Sequence, residues 1–424
     1  MQIPETAVLQ KYAESCIGGK IDRHRLDTPE RTQMTKSVAP LKRITIPDLL
    51  TQASEAMQMV NDVKSRMLAP EAKKSSPTFT LTQVAALCGM DKGQFSYRLS
   101  KGDLPNGQLN ATGSRREFSL NQALQWVRAI RTAELKPAGK RAVVIAVTNF
   151  KGGVTKTTTC MTLAQALSLR GHRVLAVDCD PQGSLTTLFG ISPDAEVQED
   201  QTIAPLTSGT ESSIRPAIQK TYWDGVDLVA AAPALFSAEF MLPARQMQDP
   251  DFKFYDVLNQ GLEDIKDEYD VVVIDTSPSL SYLTINAIMA ADGLIVPMPP
   301  NALDFASSGQ FWSLFSDLAA NLVESTGLTK SFDFINVLLS RVDTQDSASS
   351  VVRTWIAATY KDKLLPVEIP KTSVASSSSA EFGTVYDISK YEGSAKTFKR
   401  ARDAYDRVAD MLEETIQASW AAQE

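Results

Sequence analysis

The chain has few of the residues that build metal centres and disulfide frameworks. Its 424 residues include only two histidines and four cysteines, and the cysteines form neither a CxxC pair nor a cluster. Isolated thiols of this kind are typical of a reducing compartment, and they argue against a disulfide framework, a zinc site or a cysteine-ligated iron–sulfur cluster. The cysteines are Cys16, Cys88, Cys160 and Cys179.

Long hydrophobic runs are also missing. No apolar stretch reaches the roughly 18 residues of a membrane span, and the first residues do not pair a basic segment with an apolar one. We therefore expect neither export nor membrane insertion. Hydrophobic residues make up 43% of the chain and charged residues 22%, which are globular values and exclude global disorder. At about 100 to 200 residues per domain, the length predicts two to four domains.

Charge is distributed unevenly along the sequence. Residues 1–140 contain 21 lysines and arginines against 13 aspartates and glutamates, although the whole chain has a net charge of -7. A basic module joined to an acidic body is typical of nucleic-acid-binding proteins, but ordinary solvated surface charge explains it equally well. Charge alone therefore leaves both interpretations open.

The first seventy residues divide into an arm and a helix. Residues 1–40 show no sustained hydrophobic period, which predicts a mostly irregular N-terminal arm. Within residues 41–70, apolar residues recur at alternating steps of three and four from Ile46 to Met67, which predicts one long helix. The small Ala53 and Ala56 allow this helix either to dimerise or to pack on its own domain, and we favour dimerisation.

Residues 78–135 have the pattern of a winged helix-turn-helix domain. Thr80 and Asp91 each precede a short amphipathic segment with a glutamine three residues later, which predicts two capped helices around a turn at Gly89. An Asn-Gly pair predicts a hairpin wing before a third helix. A small helical domain without a ligand fits too, but a basic second helix and hairpin favour DNA binding. The candidate DNA contacts are Lys92, Gln94, Tyr97, Arg98, Arg115 and Arg116.

The composition changes after a linker at residues 137–140, which contains Pro137, Gly139 and Lys140. Short β-branched runs such as RAVVIAVTNF, RVLAVD and DVVVID alternate with helical stretches through residues 141–424. Runs of this kind are typical of strands buried on both faces of a mainly parallel sheet with helical crossovers. The sequence therefore predicts an α/β domain over residues 141–424.

The first of these strands leads into the loop KGGVTKTTT, which begins at Lys151. A glycine-bearing loop between a strand and a helix directs backbone N–H groups at an anion, so it predicts a phosphate site. There Lys156 can reach the outer phosphates and Thr157 can ligate magnesium. The GxxxxGK[ST] consensus is not met, because Phe150 and Thr155 replace its two glycines. The candidate nucleotide-binding residues of the loop are Lys151, Gly152, Gly153, Val154, Thr155, Lys156, Thr157 and Thr158.

Three aspartates end the strands expected beside that loop. Asp178 and Asp180 follow one strand, and Asp275 ends another. Because the carboxyl ends of parallel strands meet the phosphate loop, Asp275 can hold a magnesium-bound water and Asp180 can position the water that attacks a γ-phosphate. Aspartates at strand ends are often caps of turns, but three of them together with the loop favour phosphate chemistry.

The motifs KGGVTKTTT, VDCDPQGS and YDVVVIDTSPSLSYLTINAIMAADGLIVPM resemble those of the deviant Walker ATPases of the ParA type, which partition plasmids and chromosomes. The basic front with its long helix and winged helix-turn-helix is similar to the large ParA subclass, whose members also repress their own operon. The resemblance implies a P-loop NTPase fold with ATP, ADP and Mg²⁺ as ligands. It also implies weak ATP hydrolysis that a centromere-bound ParB-type partner stimulates.

Further expectations come from the same resemblance. The protein is expected to be a homodimer, with higher-order assembly on DNA left open, and to lie in the cytoplasm on the nucleoid. Its DNA partners would be the operator and non-specific DNA, with no role for a membrane. Lys151 would reach the partner subunit's nucleotide, and Lys151, Lys156 and Asp180 would form the catalytic set. Magnesium would be held by Thr157, Asp178 and Asp275.

Two predictions concern the last third of the chain. Arg341 and Asp343 follow a late strand, where the family holds the base, so they are candidate nucleotide contacts. Lys396, Lys399 and Arg400 form a candidate patch for non-specific DNA, although they could instead balance acidic residues on a solvated helix. A nucleotide-sensing transcriptional repressor without a segregation role stays open as the alternative function.

Overall fold

The computed structural model describes residues 44–67, 74–110, 112–327, 329–371, 383–388 and 394–423. The arm predicted for residues 1–40 lies outside these residues. The long helix, α1, runs from Ile46 to Met67, and Thr45 exchanges backbone and side-chain hydrogen bonds with Asp48 at its start. Leu49, like other described apolar side chains of α1, is exposed. The helix exists as predicted, while its role in dimerisation stays a prediction.

Residues 79–130 fold into a small segment of three helices and a three-stranded sheet. Glutamine side chains close capping boxes at Thr80, Asp91 and Ser119, as the sequence pattern indicates for the first two. Its strands pair antiparallel in the order β1, β3, β2. The elements are β1 (Phe79–Thr80), α2 (Leu81–Leu87), α3 (Lys92–Leu99), β2 (Gln108–Leu109), β3 (Arg116–Phe118) and α4 (Leu120–Ile130).

The larger part of the chain is built on a sheet in which eight strands are described. Neighbouring strands are parallel except for the antiparallel edge pair β6 and β7. The spatial order is β11, β10, β9, β4, β8, β5, β7, β6. The strands are β4 (Val143–Val147), β5 (Val174–Asp178), β6 (Gln219–Lys220), β7 (Val226–Val229), β8 (Val271–Asp275), β9 (Gly293–Met298), β10 (Phe334–Val342) and β11 (Leu364–Pro370).

Helices cover both faces of this sheet, which explains why every residue of β4, β5, β8 and β9 is buried. One hydrophobic core contains α5 and α13, and the other contains residues from α7 to α12. The α/β fold with a mainly parallel sheet is therefore confirmed. The helices are α5 (Lys156–Leu169), α6 (Ser184–Leu188), α7 (Ala204–Ser208), α8 (Ala238–Gln248), α9 (Val257–Leu262), α10 (Tyr282–Ala290), α11 (Ala302–Thr326), α12 (Ser347–Tyr360) and α13 (Ala395–Ala422).

The front segment packs directly on the larger part, because α4 lies against the end of α5. Arg128 Nε donates to the carbonyl of Gly171 at 2.8 Å, and Arg131 forms an ion pair with Glu413 at 2.8 Å. The stretch expected to be a linker is also fixed, since the Lys140 side chain donates to the backbone carbonyl of Gln423. Just before this stretch, Lys136 Nζ donates to three backbone carbonyls between residues 266 and 269. Buried side chains of both parts belong to one core.

None of the helices in the described part of the chain is long and apolar enough to cross a membrane.

Candidate functional site

The loop between β4 and α5 is held by the strands beside it. Asn149 is fully buried, and its side chain donates to the carbonyl of Pro297 at 2.9 Å while accepting from the Lys151 N–H at 3.0 Å. Ser340 Oγ donates to the carbonyl of Val154 at 3.1 Å. The loop therefore has a fixed course at the carboxyl edge of the sheet before any ligand binds.

Two residues of the loop have left-handed backbone conformations. Gly153 has φ 76°, and Thr155, the residue before α5, has φ 77°. A β-branched residue is a true outlier in that region, and such strain costs on the order of 1–3 kcal/mol. The loop thus keeps a conformation suited to glycine although Thr155 occupies the position. Strain of this size persists only when the surrounding structure enforces it.

Lys156 begins α5 and is almost completely buried. Its Nζ donates to the carbonyl of Lys151 at 3.0 Å, so the side chain folds back over the loop. Burial lowers the pKa of Lys156, while the nearby Asp275 and Asp180 act to raise it. The loop therefore encloses a cation whose one backbone acceptor among the described residues is the Lys151 carbonyl, and an anion would stabilise it.

Asp275 ends β8 with a fully buried carboxylate. Neither of its oxygens has a hydrogen-bond partner within 3.5 Å in the described part of the chain. Burial, and then the neighbouring Asp178, raise the pKa of Asp275 well above its usual range, although the Thr157 hydroxyl and Lys156 lie near enough to lower it. A buried carboxylate without partners is costly, so these oxygens suit a bound cation or a water that a cation holds.

Asp178 and Asp180 have different surroundings. Both oxygens of Asp178 are used, since one accepts from the Asp180 N–H at 3.1 Å and the other accepts from the N–H and hydroxyl of Thr186 at 2.9 and 2.8 Å. Burial raises the pKa of Asp178 to about 7. Asp178 therefore fixes the turn that presents Asp180, and its place in a metal shell stays a prediction. Within the described part of the chain, the Asp180 carboxylate accepts a hydrogen bond from the Gln182 N–H at 3.0 Å and from no other group.

A cleft of about 480 Å³ lies where these elements meet. Strand register explains the meeting, because Asp275 pairs with Val147 on one side and with Asp178 on the other. Ser184, Thr187 and Thr276 also line the cleft, although the sequence did not single them out as site residues. Ser184 and Thr276 lie within the two aspartate motifs, and Thr187 follows the first of them. The candidate residues that line it are Gly152, Gly153, Thr155, Lys156, Thr157, Thr158 and Asp180.

A second cleft of about 380 Å³ shares Gly152 and Gly153 with the first. It contains Lys151 and both candidate base contacts, Arg341 and Asp343. Arg341 Nη1 donates to the carbonyl of Gly153 at 3.2 Å, so the end of β10 touches the phosphate loop.

One polar group in this second cleft was not indicated by the sequence. Ser349 lines it with a buried hydroxyl that lacks a hydrogen-bond partner among the described residues. Val154, by contrast, lines neither cleft; its side chain is buried, and its carbonyl accepts from Ser340 Oγ.

Comparisons with known proteins agree with this geometry. Residues 142–326 match the family model of an AAA domain. A putative replication protein A from Rhizobium rhizogenes is 30% identical over 369 residues, covering 84% of this chain and 90% of that protein. The chromosome partitioning protein ParA of Caulobacter vibrioides is 33% identical over 273 residues, or 63% of this chain and 95% of that protein. The chain belongs to the ParA-type P-loop partition ATPases.

The fold of this ParA-type chain is also found in solved structures. One named Partition Protein covers 89% of this chain and 99% of its own at a TM-score of 0.62, with 19% identity. At that identity the likeness concerns the fold alone. The family predicted from the sequence is confirmed by the relatives, and the solved Partition Protein structure adds only the likeness of fold.

The candidate DNA contacts of the ParA-type chain's front segment lie on α3 and on the hairpin. Lys92, Tyr97 and Arg115 are exposed. The other three have local partners: Gln94 closes the Asp91 capping box, Arg98 forms an ion pair with Asp103 at 2.5 Å, and Arg116 donates to the carbonyl of Asn106. The structure brings none of the six into the two clefts around the phosphate loop.

The three candidate cations of α13 also differ from one another. Lys396, Lys399 and Arg400 are exposed near the start of the helix. Lys399 forms an ion pair with Asp403 one turn later at 2.6 Å, as expected for a residue that balances a solvated helix. Arg400 instead faces a separate cleft.

Proposed function

We propose that this ParA-type protein is an ATPase whose ATP-dependent dimerisation segregates plasmid or chromosomal DNA. The observation that carries the proposal is a cleft beside a strained glycine-rich loop that is lined by Lys156 and Asp180. The buried Asp275, whose oxygens have no hydrogen-bond partner among the described residues, lies near enough to act on Lys156. Relatives that include a chromosome partitioning protein support the biological process.

The charges of the cleft suit a nucleoside triphosphate. Phosphate oxygens would replace the Lys151 carbonyl as acceptors for the Lys156 ammonium, and the loop N–H groups would hold the remaining negative charge. Thr157 and Asp275 would hold Mg²⁺, which supplies neutralisation of charge on the phosphates as their bond breaks.

Asp180 would position the attacking water. Its carboxylate lines the cleft and keeps free acceptor capacity, because the Gln182 N–H uses only one oxygen. Asp178 holds Asp180 in position, because its carboxylate accepts from the N–H groups of Asp180 and Thr186. Binding would tolerate the loss of Asp180, whereas turnover would not.

Dimerisation would connect the chemistry to segregation. Lys151 lies at the entrance of the loop beside the second cleft, and from there it would contact the nucleotide of a second copy. ATP would then stabilise a sandwich dimer that binds nucleoid DNA in the cytoplasm through Lys396, Lys399 and Arg400. A ParB-type partner bound at the centromere would stimulate the weak hydrolysis, and the dimer would dissociate.

The front segment would give the protein a second role as repressor of its own operon. It would act as a winged helix-turn-helix domain, with α3 in the major groove, the hairpin on the backbone, and α1 holding two copies together. A repressor without any segregation role is favoured by one observation, namely that α4 packs on the helix that carries the phosphate loop. Such packing could report nucleotide binding to the DNA-reading helices.

The decisive experiment compares the full-length protein with Asp180→Ala. We expect the variant to bind ATP but to release no phosphate above background, with or without DNA and the ParB-type partner, and to lose a test plasmid. The exposed Asp194 supplies a matched control, Asp194→Ala, which should behave as the wild type. Unchanged phosphate release by Asp180→Ala would overturn the catalytic assignment. Normal plasmid retention with normal operator control would favour the repressor alternative.

A further inference from the structure

The residues just ahead of the front segment place a buried lysine against the larger part of the chain. Lys74 lies five residues before β1, and its side chain is only 11% exposed. Its Nζ donates to the carbonyl of Leu188 at 2.9 Å, to the hydroxyl of Tyr222 at 3.0 Å and to a carboxylate oxygen of Asp387 at 3.2 Å. An ammonium group has three N–H donors, so all of them are used.

Asp387 fixes the position of this ammonium group. One carboxylate oxygen accepts from the side chains of Gln165, at 3.1 Å, and Tyr222. The other accepts from the Thr384 N–H at 2.8 Å as well as from the lysine. Burial lowers the pKa of Lys74, while Asp387 acts to raise it. A buried cation is costly unless it is paired and hydrogen-bonded, so these contacts hold Lys74 in one place.

The contact with Leu188 completes the end of a helix. Leu188 is the last residue of α6, and the last carbonyls of a helix have no partner within it. A lysine side chain near the C-terminus of a helix can supply the missing hydrogen bond. Lys74 does so from a distant part of the sequence, 114 residues earlier.

The helix α6 depends on contacts of this kind because it has only five residues. A helix of that length is not stable by itself in water. It is held from outside in its middle, where Asp178 accepts from the N–H and hydroxyl of Thr186, and at its end, where Lys74 donates to the last carbonyl. The loss of either contact should therefore loosen the helix.

The same helix forms part of the cleft of about 480 Å³ beside the phosphate loop, which we call the phosphate cleft. Ser184, Thr187 and Leu188 of α6 line it. Asp180 lines it too and is joined to the start of the helix, because the Gly183 N–H donates to the Asp180 carbonyl at 2.8 Å. A shift of α6 would therefore also move Asp180.

We infer that Lys74 is a positioning residue for ATP hydrolysis, which holds α6 and thereby the Asp180 side of the phosphate cleft. The inference rests on the proposed function, in which Asp180 positions the attacking water. Lys74 itself does not line the cleft in the described part of the chain, so it acts through the helix. A stretch of chain ahead of the front segment thus becomes part of the ATPase, because the geometry of Asp180 depends on it.

The first test measures single-turnover ATP hydrolysis by the full-length protein, in excess over ATP and with Mg²⁺, DNA and the ParB-type partner present. Lys74→Met keeps the apolar part of the side chain and removes the ammonium group. We expect its rate constant to fall about 10-fold, within the roughly 100-fold that a misplacement of about 1 Å can cost, and its affinity for ATP to change less. A merely structural role would not change this rate constant, because it does not depend on the fraction of protein that is folded.

Tyr222→Phe is the matched control. It removes one hydroxyl from the same cluster and leaves the hydrogen bond between Lys74 and Leu188 in place. We expect it to lower the free energy of unfolding in urea, as Lys74→Met does, but to hydrolyse ATP at the wild-type single-turnover rate. The comparison separates positioning from stability.

The second test needs no hydrolysis. Hydrogen exchange of the nucleotide-free protein is followed by mass spectrometry on peptides that cover residues 184–190. Because exchange reports local opening, we expect it to be faster there in Lys74→Met than in the wild type, and unchanged in Tyr222→Phe.

The outcomes separate this inference from the proposed function. A wild-type protein that hydrolyses no ATP would overturn both. Normal wild-type hydrolysis with an unchanged single-turnover rate in Lys74→Met, or with unchanged exchange in residues 184–190, would overturn the inference alone. An equal loss of rate in Tyr222→Phe would assign the effect to the stability of the cluster and also overturn it. If Lys74→Met does not fold, Lys74→Gln, which keeps a polar group in the cluster on a shorter side chain, takes its place with the same expectations.

Discussion

The phosphate cleft and the surface of the front segment hold their charges in opposite ways. Around the cleft, Lys156 is buried at the start of α5 and Asp275 is buried at the end of β8, and the Asp275 carboxylate has no hydrogen-bond partner among the described residues. On the front segment, Arg98 and Arg116 are partly exposed and already bonded to Asp103 and to the Asn106 carbonyl. Charged groups that lack protein partners in the cleft depend on a ligand to stabilise them. Charged groups that already have partners on the surface must give up those hydrogen bonds and ion pairs before they can bind a ligand. Substitutions should therefore have larger effects in the cleft.

Lys156→Ala should have the largest effect. Removing the buried cation leaves triphosphate charge uncompensated, so we expect partner-stimulated phosphate release to fall by at least about 100-fold. Phosphate release at saturating ATP checks this, with Lys253→Ala on an exposed loop residue as the control. Hydrolysis by Lys156→Ala at the wild-type rate would contradict the expectation that substitutions have larger effects in the cleft than on the surface.

Lys151→Ala should separate binding from assembly. Lys151 lies at the edge of the second cleft and is expected to act across the dimer, so the variant should bind nucleotide nearly as well as the wild type. It should nevertheless stay monomeric, or keep only its nucleotide-independent dimer, when ATP is added. Light scattering with and without ATP measures this; equal ATP-dependent association would place the role of Lys151 within its own subunit.

Arg98→Ala should have a smaller effect, confined to operator DNA. A base contact is worth about 1–3 kcal/mol, and part of that is offset because Arg98 must leave Asp103 to make it. We expect weaker binding to the operator by the full-length protein and unchanged binding to random DNA. Asp103→Asn supplies the matched control, since freeing Arg98 should strengthen operator binding. Footprinting that shows no sequence preference in the wild type would contradict the repressor role.

Thr155→Gly should have the smallest effect and the opposite sign. Glycine adopts the observed φ of 77° without strain, so we expect the nucleotide-free protein to gain about 1 kcal/mol in its free energy of unfolding. Urea denaturation measures the change. Thr158→Gly, three residues later inside α5, should instead lower stability, because glycine weakens a helix interior. Equal losses in both variants would mean that Thr155 is not strained.

The same contrast explains what the sequence could predict. Lys156, Asp180 and Asp275 come together as expected, because the order of strand, loop and helix determines where strand ends meet. The sequence indicated a basic patch that includes Arg400, but not the cleft that Arg400 lines with Arg353, Lys371 and Arg407, since these residues come from three distant segments that only the tertiary fold brings together. Its size and charge balance depend on side-chain packing, and no sequence period reports that.

The sequence also could not show which of two predicted roles a side chain takes, or whether a polar stretch is held by distant residues. Gln94 was expected to cap α3 and to contact DNA, and its side-chain oxygen is engaged by the cap. The stretch from residue 137 to 140 has the composition of a linker, yet Lys140 donates to the carbonyl of Gln423, 283 residues later. Lys136, just before it, donates to three carbonyls that are 130 to 133 residues later. Composition indicates that such a stretch is polar, but not whether distant acceptors hold it.

The contact between the front segment and α13 has a consequence for how the chain is made. Arg131 and its partner Glu413 are 282 positions apart, and His172 also contacts Glu413 at 2.7 Å. Translation proceeds from the N-terminus, so the ribosome must synthesise nearly the whole protein before this ion pair can form. Until then, the surface of α13 that the front segment contacts has not been synthesised. Slow elongation through the sheet would prolong that interval, which makes this contact one of the last to form on a newly made molecule.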